Sequence, residues 1–165
     1  MFATILQFKG RLLIVVAVLL TLRCLWLWQP ARQVELHQRH LLKAAQDRKF
    51  SKLAGFLDDH FRTPTGQNKT WALQQSQLVL RQFIALEIRG SETVTVMEGD
   101  TARVRSLIRI EGTGTQLAMM AMSAVNDSTA TFEFTWQHKS WKPWDWSLTS
   151  VDHPLLHTTG AMEAF

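Results

Sequence analysis

The stretch Thr93-Val94-Thr95-Val96-Met97-Glu98-Gly99-Asp100-Thr101-Ala102-Arg103-Val104-Arg105-Ser106-Leu107-Ile108-Arg109-Ile110-Glu111 decides the fold, because here the hydrophobic period drops to two. Thr93–Val96 reads as one strand and Glu98-Gly99-Asp100 as a turn. In the returning strand Ala102, Val104, Ser106, Ile108 and Ile110 alternate with Arg103, Arg105, Leu107, Arg109 and Glu111. Such alternation fits a strand with one face on a core and the other towards water. Gly112-Thr113-Gly114 ends it.

Downstream, Gln116 to Val125 has two readings. Its Ala and Met content favours a short helix, while its place among strands favours an extended segment. Thr131–His138 alternates again, with Phe132, Phe134, Trp136 and His138 on one face. Lys139 to Pro143 makes a turn, and Trp144, Trp146 and Leu148 continue the apolar face on a returning strand. Residues 156–165 form a tail with little pattern.

Upstream the period is helical. From Val34, the residues Leu36, Leu41, Leu42 and Ala45 gather near one face, with Asp47 at the helix end. Leu53, Phe56, Leu57 and Phe61 repeat the spacing, and Ser51 suits the start. Arg62 to Lys69, punctuated by Pro64 and Gly66, is a loop. A third helix from about Trp71 to Leu86 carries Trp71, Leu78, Val79, Phe83 and Leu86 as its stripe, with Asn68 or Thr70 to cap it.

Three helices followed by a meandering antiparallel sheet define an α+β class with the helices on one sheet face. The order resembles the nuclear-transport-factor-2-like superfamily, a cone-shaped, cystatin-like fold. The residues that carry the likeness are Ala44-Ala45-Gln46-Asp47, the Leu53–Phe61 helix, Glu98-Gly99-Asp100-Thr101-Ala102, and the run from Trp144 to Pro154. It spans roughly residues 33–155, and the expected domain is 31–155. The resemblance implies three helices on a curved sheet around a cavity, and a homodimer through the exposed sheet face. It implies no single activity, since the fold serves isomerases, dehydratases, transport adaptors and secretion-system assembly subunits. The isomerases and dehydratases of this fold rely on Tyr, and this chain of 165 residues contains none.

Residues 1–30 read as an uncleaved single-pass transmembrane anchor. Its apolar residues are Leu12, Leu13, Ile14, Val15, Val16, Val18, Leu19, Leu20 and Leu22, with Trp26 and Trp28 as an interfacial belt. Leu12 to Trp28 spans about 25 Å at roughly 1.5 Å per residue, and Pro30 stops the helix. A cleaved signal peptide needs small residues beyond the apolar run, and Arg23-Cys24-Leu25-Trp26 does not offer them. Lys9 and Arg11 favour a cytoplasmic start, with the domain on the extracytoplasmic side.

The formal charge of +4 is concentrated in that segment. Three of the 18 basic residues, Lys9, Arg11 and Arg23, lie among the first 30 positions, which hold no acid, leaving 15 basic against 14 acidic elsewhere. A near-neutral domain lacks the basic surplus that phosphate backbones require, so nucleic acid is not an expected partner. Cys24 is alone, which excludes an internal disulfide and a cysteine-based zinc site.

Candidate chemistry is sparse. Asp58, Asp59 and His60 offer a carboxylate beside a potential acid or base, but acids one and two residues before a His do not share its helical face. His37 and His40 lack the third ligand that zinc wants. Arg103, Arg105 and Arg109 line one strand face, where Glu133 on the neighbouring strand can compensate them. Phosphate loops, nucleophile elbows and paired metal carboxylates are absent, so no cofactor, metal or catalytic set is expected. Cavity-lining candidates are Phe56, His60, Phe134, Trp136, Trp144 and Trp146. The expected role is a non-catalytic binding or scaffold domain for a protein partner or a small apolar ligand. The alternative is an isomerase or dehydratase using His60 or Asp58 inside the cone.

Overall fold

The structure is a computed structural model that describes residues 16–19, 21 and 28–157. Its elements are α1 (Pro30–Gln46), α2 (Phe50–Phe56), α3 (Lys69–Leu80), β1 (Phe83–Glu98), β2 (Thr101–Gly114), α4 (Gln116–Asp127), β3 (Phe132–His138), β4 (Trp146–Asp152) and the single turn α5 (Pro154–His157). The strands form one antiparallel sheet in the order β1-β2-β3-β4.

One expectation is overturned. Among the described residues no helix is long and apolar enough to cross a membrane, so the single-pass location, with its extracytoplasmic domain, is not supported. Val16, Val18, Leu19 and Trp28 are described and exposed; Leu12, Leu13, Ile14, Val15, Leu20, Leu22 and Trp26 lie outside the described residues. Pro30 opens α1 at its first turn, where its missing N–H costs nothing and its fixed φ suits the helix. From there the chain is amphipathic. Val34, Gln38, Leu41 and Ala44 are buried, while Arg32 and Glu35 pair at 3.0 Å and Lys43 and Asp47 at 2.9 Å along α1.

α2 begins at Phe50 rather than Ser51 and ends at Phe56, short of the expected Phe61. Leu57 turns extended and bridges Leu148 in parallel. The Asp58 N–H then donates to the Leu148 carbonyl (2.9 Å) and the Arg62 N–H to that of Thr149 (3.0 Å). The free edge of β4 thus outbids further helix, and the edge is covered in the same stroke. Phe61, placed on a helix by spacing, is buried at 2% exposure from the turn that follows, its N–H donating to the Asp58 carbonyl at 3.1 Å.

The Asn68 side chain caps α3, accepting from the Trp71 N–H at 3.0 Å. The helix stops at Leu80, and Phe83 and Leu86, expected on its stripe, belong to β1. The hairpin between β1 and β2 turns through Gly99, whose φ of 61° suits glycine, and Glu98 pairs directly with Thr101. Gly112 is required by close approach, since a Cβ there would strike the Ala85 carbonyl. β1 is irregular between Ser91 and Val94, with Glu92 at a φ of 52°.

On β2 the inner residues Ala102, Val104, Ser106 and Ile108 are buried. The outer face is laced with cross-strand ion pairs: Arg105 to Glu133 at 2.6 Å, Arg103 to Glu98 at 3.2 Å, and Arg89 to Glu111 at 3.2 Å. Arg109 instead reaches the carbonyls of Asn126 and Ser128 at the end of α4, where a cation meets the negative pole of the helix. α4 resolves the ambiguity over Gln116–Val125 in favour of helix, capped by Thr115. Its Asn126 amide pairs with both backbone groups of Ile110, at 2.9 and 2.7 Å, taking the place of a strand partner beyond the reach of β3.

Candidate ligand cavity

Between the helices and the inner face of the sheet lies a cavity of about 360 Å³. The sheet contributes Ile88, Ile108, Ile110, Phe134 and Val151, and α1 contributes Leu41, Leu42 and Ala45. α3 supplies Trp71, Ala72, Leu73, Gln75, Ser76, Val79 and Leu80. No residue of α3 is fully buried; its inward side lines this space, with Ala72, Leu73 and Leu80 partly buried against the core. Leu156 of α5, Val125 of α4, Phe132 of β3 and Thr63 after α2 also line it. The described lining contains no Asp, Glu, His, Lys, Arg or Cys.

Of the six cavity candidates chosen from sequence, Phe134 is in this wall. Phe56 and Trp136 pack beside it in the core. Their rings meet edge-on at 6.3 Å, and His37 joins both at 6.1 and 5.9 Å. Trp136 is fully buried, and its indole N–H donates to Gln38 Oε1 at 3.1 Å. Indole can only donate, so this bond fixes the Gln38 amide and leaves its buried Nε2 without an acceptor. Trp146 is buried beneath His138, with its indole N–H on the Pro143 carbonyl at 3.0 Å. Trp144 precedes β4 rather than belonging to it and stands 55% exposed in the turn.

His60 also lies at the surface, with its side chain 94% exposed. Asp58 Oδ1 accepts from the His60 backbone N–H at 2.9 Å, and Oδ2 meets Lys139 at 2.8 Å. Burial pushes the Asp58 carboxyl up, but Lys139 and the His60 N–H together outweigh it and hold it below its ordinary value. Asp58 is therefore an ion-paired carboxylate that ties the β3–β4 turn to the segment after α2, and neither it nor His60 lines the cavity. His37 Nδ1 is occupied by the Gln33 carbonyl at 2.8 Å. Among the described residues no group of three His, Cys, Asp or Glu could hold a metal.

The buried histidine is His153 (1% exposed), which had no role in the sequence reading. It stacks on Phe132, a cavity residue, at 3.9 Å. Its Nδ1 accepts from the Leu155 N–H at 3.1 Å, and Ser128 Oγ lies 3.3 Å from Nε2. Burial lowers its pKa, against the opposing pull of the Ala130 backbone and the Asp152 carboxylate.

Sequence reasoning also missed Gln75 and Ser76. The signal was present in the spacing of Ala72, Ser76 and Val79, which is as helical as the larger stripe that drew attention. Leu78, placed on that stripe, is 47% exposed.

An α+β domain with helices over one face of a four-stranded antiparallel meander, and an apolar cavity between them, is the class that this geometry defines. No protein-family model matches the sequence, and no curated protein matches it. Solved structures do match in fold. Bd1075 of Bdellovibrio bacteriovorus superposes with a TM-score of 0.55 at 14% identity, over 73% of this chain and 40% of that one. The chain thus spans less than half of that protein. A candidate dehydratase of the nuclear-transport-factor-2-like family from Streptomyces avermitilis gives 0.53 at 14% identity, covering 73% and 91%. A cystatin-like protein of unknown function from Nostoc punctiforme gives 0.50 at 11% identity, covering 74% and 92%. The fold is nuclear-transport-factor-2-like, as the sequence resemblance implied.

Proposed function

We infer that the chain is a non-catalytic binding domain that takes a small apolar ligand into the cavity between its helices and sheet. The observation that carries this reading is the cavity wall itself, about 360 Å³ in extent and without an ionisable residue in its described lining. A pocket of that volume is within the range that holds small molecules. An apolar wall favours ligands that lose little hydration on entry. Acid–base catalysis needs a titratable group within hydrogen-bond reach of the reacting atoms, and Asp58 and His60 lie elsewhere. The scaffold role expected from sequence leaned on a membrane anchor that the described residues do not provide.

Titration with butylbenzene tests the reading, followed by calorimetry and by thermal unfolding. One saturable site is expected, and at a hundredfold excess over Kd the folded state gains about 2.7 kcal/mol. Absence of saturable binding overturns it.

A further inference from the structure

Four residues of the cavity wall carry hydrogen-bonding groups, namely Thr63, Trp71, Gln75 and Ser76. Two are already engaged. Thr63 Oγ1 accepts from the Gln67 N–H at 3.0 Å and contacts the Thr65 and Gln67 side chains, while Ser76 Oγ donates to the Ala72 carbonyl at 2.7 Å. The other two are free among the described residues. The hydrogen bond of Trp71 is made by its backbone N–H to Asn68, which leaves the indole N–H open, and the Gln75 amide has no partner. Trp71 and Gln75 are four apart on α3 and therefore neighbours on one helix face.

We propose that the cavity selects a neutral lipophile bearing a single hydrogen-bond-accepting group, a ketone or ester carbonyl, which Trp71 and Gln75 receive from α3. This rests on the cavity reading above and names the class of molecule that fills it. Indole is a donor only, and the amide brings two more N–H groups, so the pair calls for an acceptor. The acceptor is uncharged because no Lys, Arg or His in the described wall offers a counter-charge, and burying an ionised carboxylate without one is strongly unfavourable.

A matched ten-carbon series separates these claims: butylbenzene, butyrophenone and 4-phenylbutyrate, titrated at pH 7.5 by calorimetry into the full chain and into a Trp71→Phe/Gln75→Met double variant. The wild type is expected to bind 4-phenylbutyrate at least a hundredfold more weakly than butyrophenone. The double variant is expected to lose about three- to tenfold in butyrophenone affinity, the worth of one or two net hydrogen bonds. Butylbenzene affinity stays within twofold, which also shows that the variant folds. Equal butyrophenone affinity in the two proteins, or 4-phenylbutyrate binding as tightly as the ketone, overturns the proposal while leaving the cavity reading intact. Failure of all three compounds to bind the wild type removes the cavity reading and this proposal with it.

Discussion

Ala72→Phe should raise stability and abolish ligand binding together, a combination that damage to the fold cannot imitate. Ala72 is half-buried on α3, lines the cavity and packs against the core cluster. The substitution adds a six-carbon ring, and since a cavity of about 150 Å³ suffices to hold such a ring, it takes up to about two-fifths of the 360 Å³. A ten-carbon ligand then no longer fits. Burial of the new ring is worth up to about 1.5–3 kcal/mol, and imperfect fit brings the usual yield of cavity filling to about 0.5–2 kcal/mol. For a chain of this length that raises Tm by about 1–8 °C. Loss of burial for even two methylenes of the ligand, at about 0.8 kcal/mol each, weakens butylbenzene more than tenfold. Urea and thermal unfolding read the first effect and calorimetry the second. Unchanged butylbenzene affinity in a variant no more stable than the wild type would refute the reasoning, because the new ring would then not occupy the space assigned to ligand.

Two further perturbations probe the core beside the site. Trp136→Phe strands Gln38 Oε1 and Gln38→Leu strands the indole N–H, each at about 1–3 kcal/mol. The double variant, with both polar groups gone, should fall short of the sum of the singles by a similar amount in urea melts; additivity within 0.5 kcal/mol would deny the coupling. The His153 pKa is depressed in the folded state, so protonation favours unfolding. Its contribution is complete above the unfolded value near 6.5 and is lost as pH falls from there through the folded value, with a slope of at most about 1.4 kcal/mol per pH unit. Stability measured from pH 7.5 downward should show this slope in the wild type and lose it in His153→Phe; an unaltered slope in that variant would assign the pH dependence to other groups.

The β2 register, the Glu98–Asp100 turn and the Phe132-Phe134-Trp136 face were legible because a period of two leaves a strand little freedom once one face is apolar. The boundary between α3 and β1 was not, since Phe83 and Leu86 extend a 3.6-residue stripe as naturally as they begin a strand. The early end of α2 was hidden for a different reason: Leu57–Arg62 gives up helical hydrogen bonds for the β4 edge, a partner nearly ninety residues away. Trp144 and Trp146 show the limit of alternation itself. They share a phase in the sequence, but the strand starts at Trp146, so only one is buried. Gln38 was invisible because a buried amide on a core stripe contradicts the hydrophobic pattern, and only the facing indole explains it.

The residues that keep the cavity open are as informative as those that line it with bulk. Ala45, Ala72 and Ser76 face the space from two helices, and larger apolar side chains at these positions would close it. Helix propensity does not demand Ser76, which is a mediocre helix former and spends its hydroxyl on its own backbone. Wall side chains that face open space forgo the dispersion contacts that a filled core would give them. A core built only for stability would not hold α3 off the sheet behind three small side chains. An occupant restores those contacts; the free N–H groups of Trp71 and Gln75 on the same helix supply the reason for it to bear an acceptor, and the lack of Lys, Arg and His in the described wall the reason for it to be neutral.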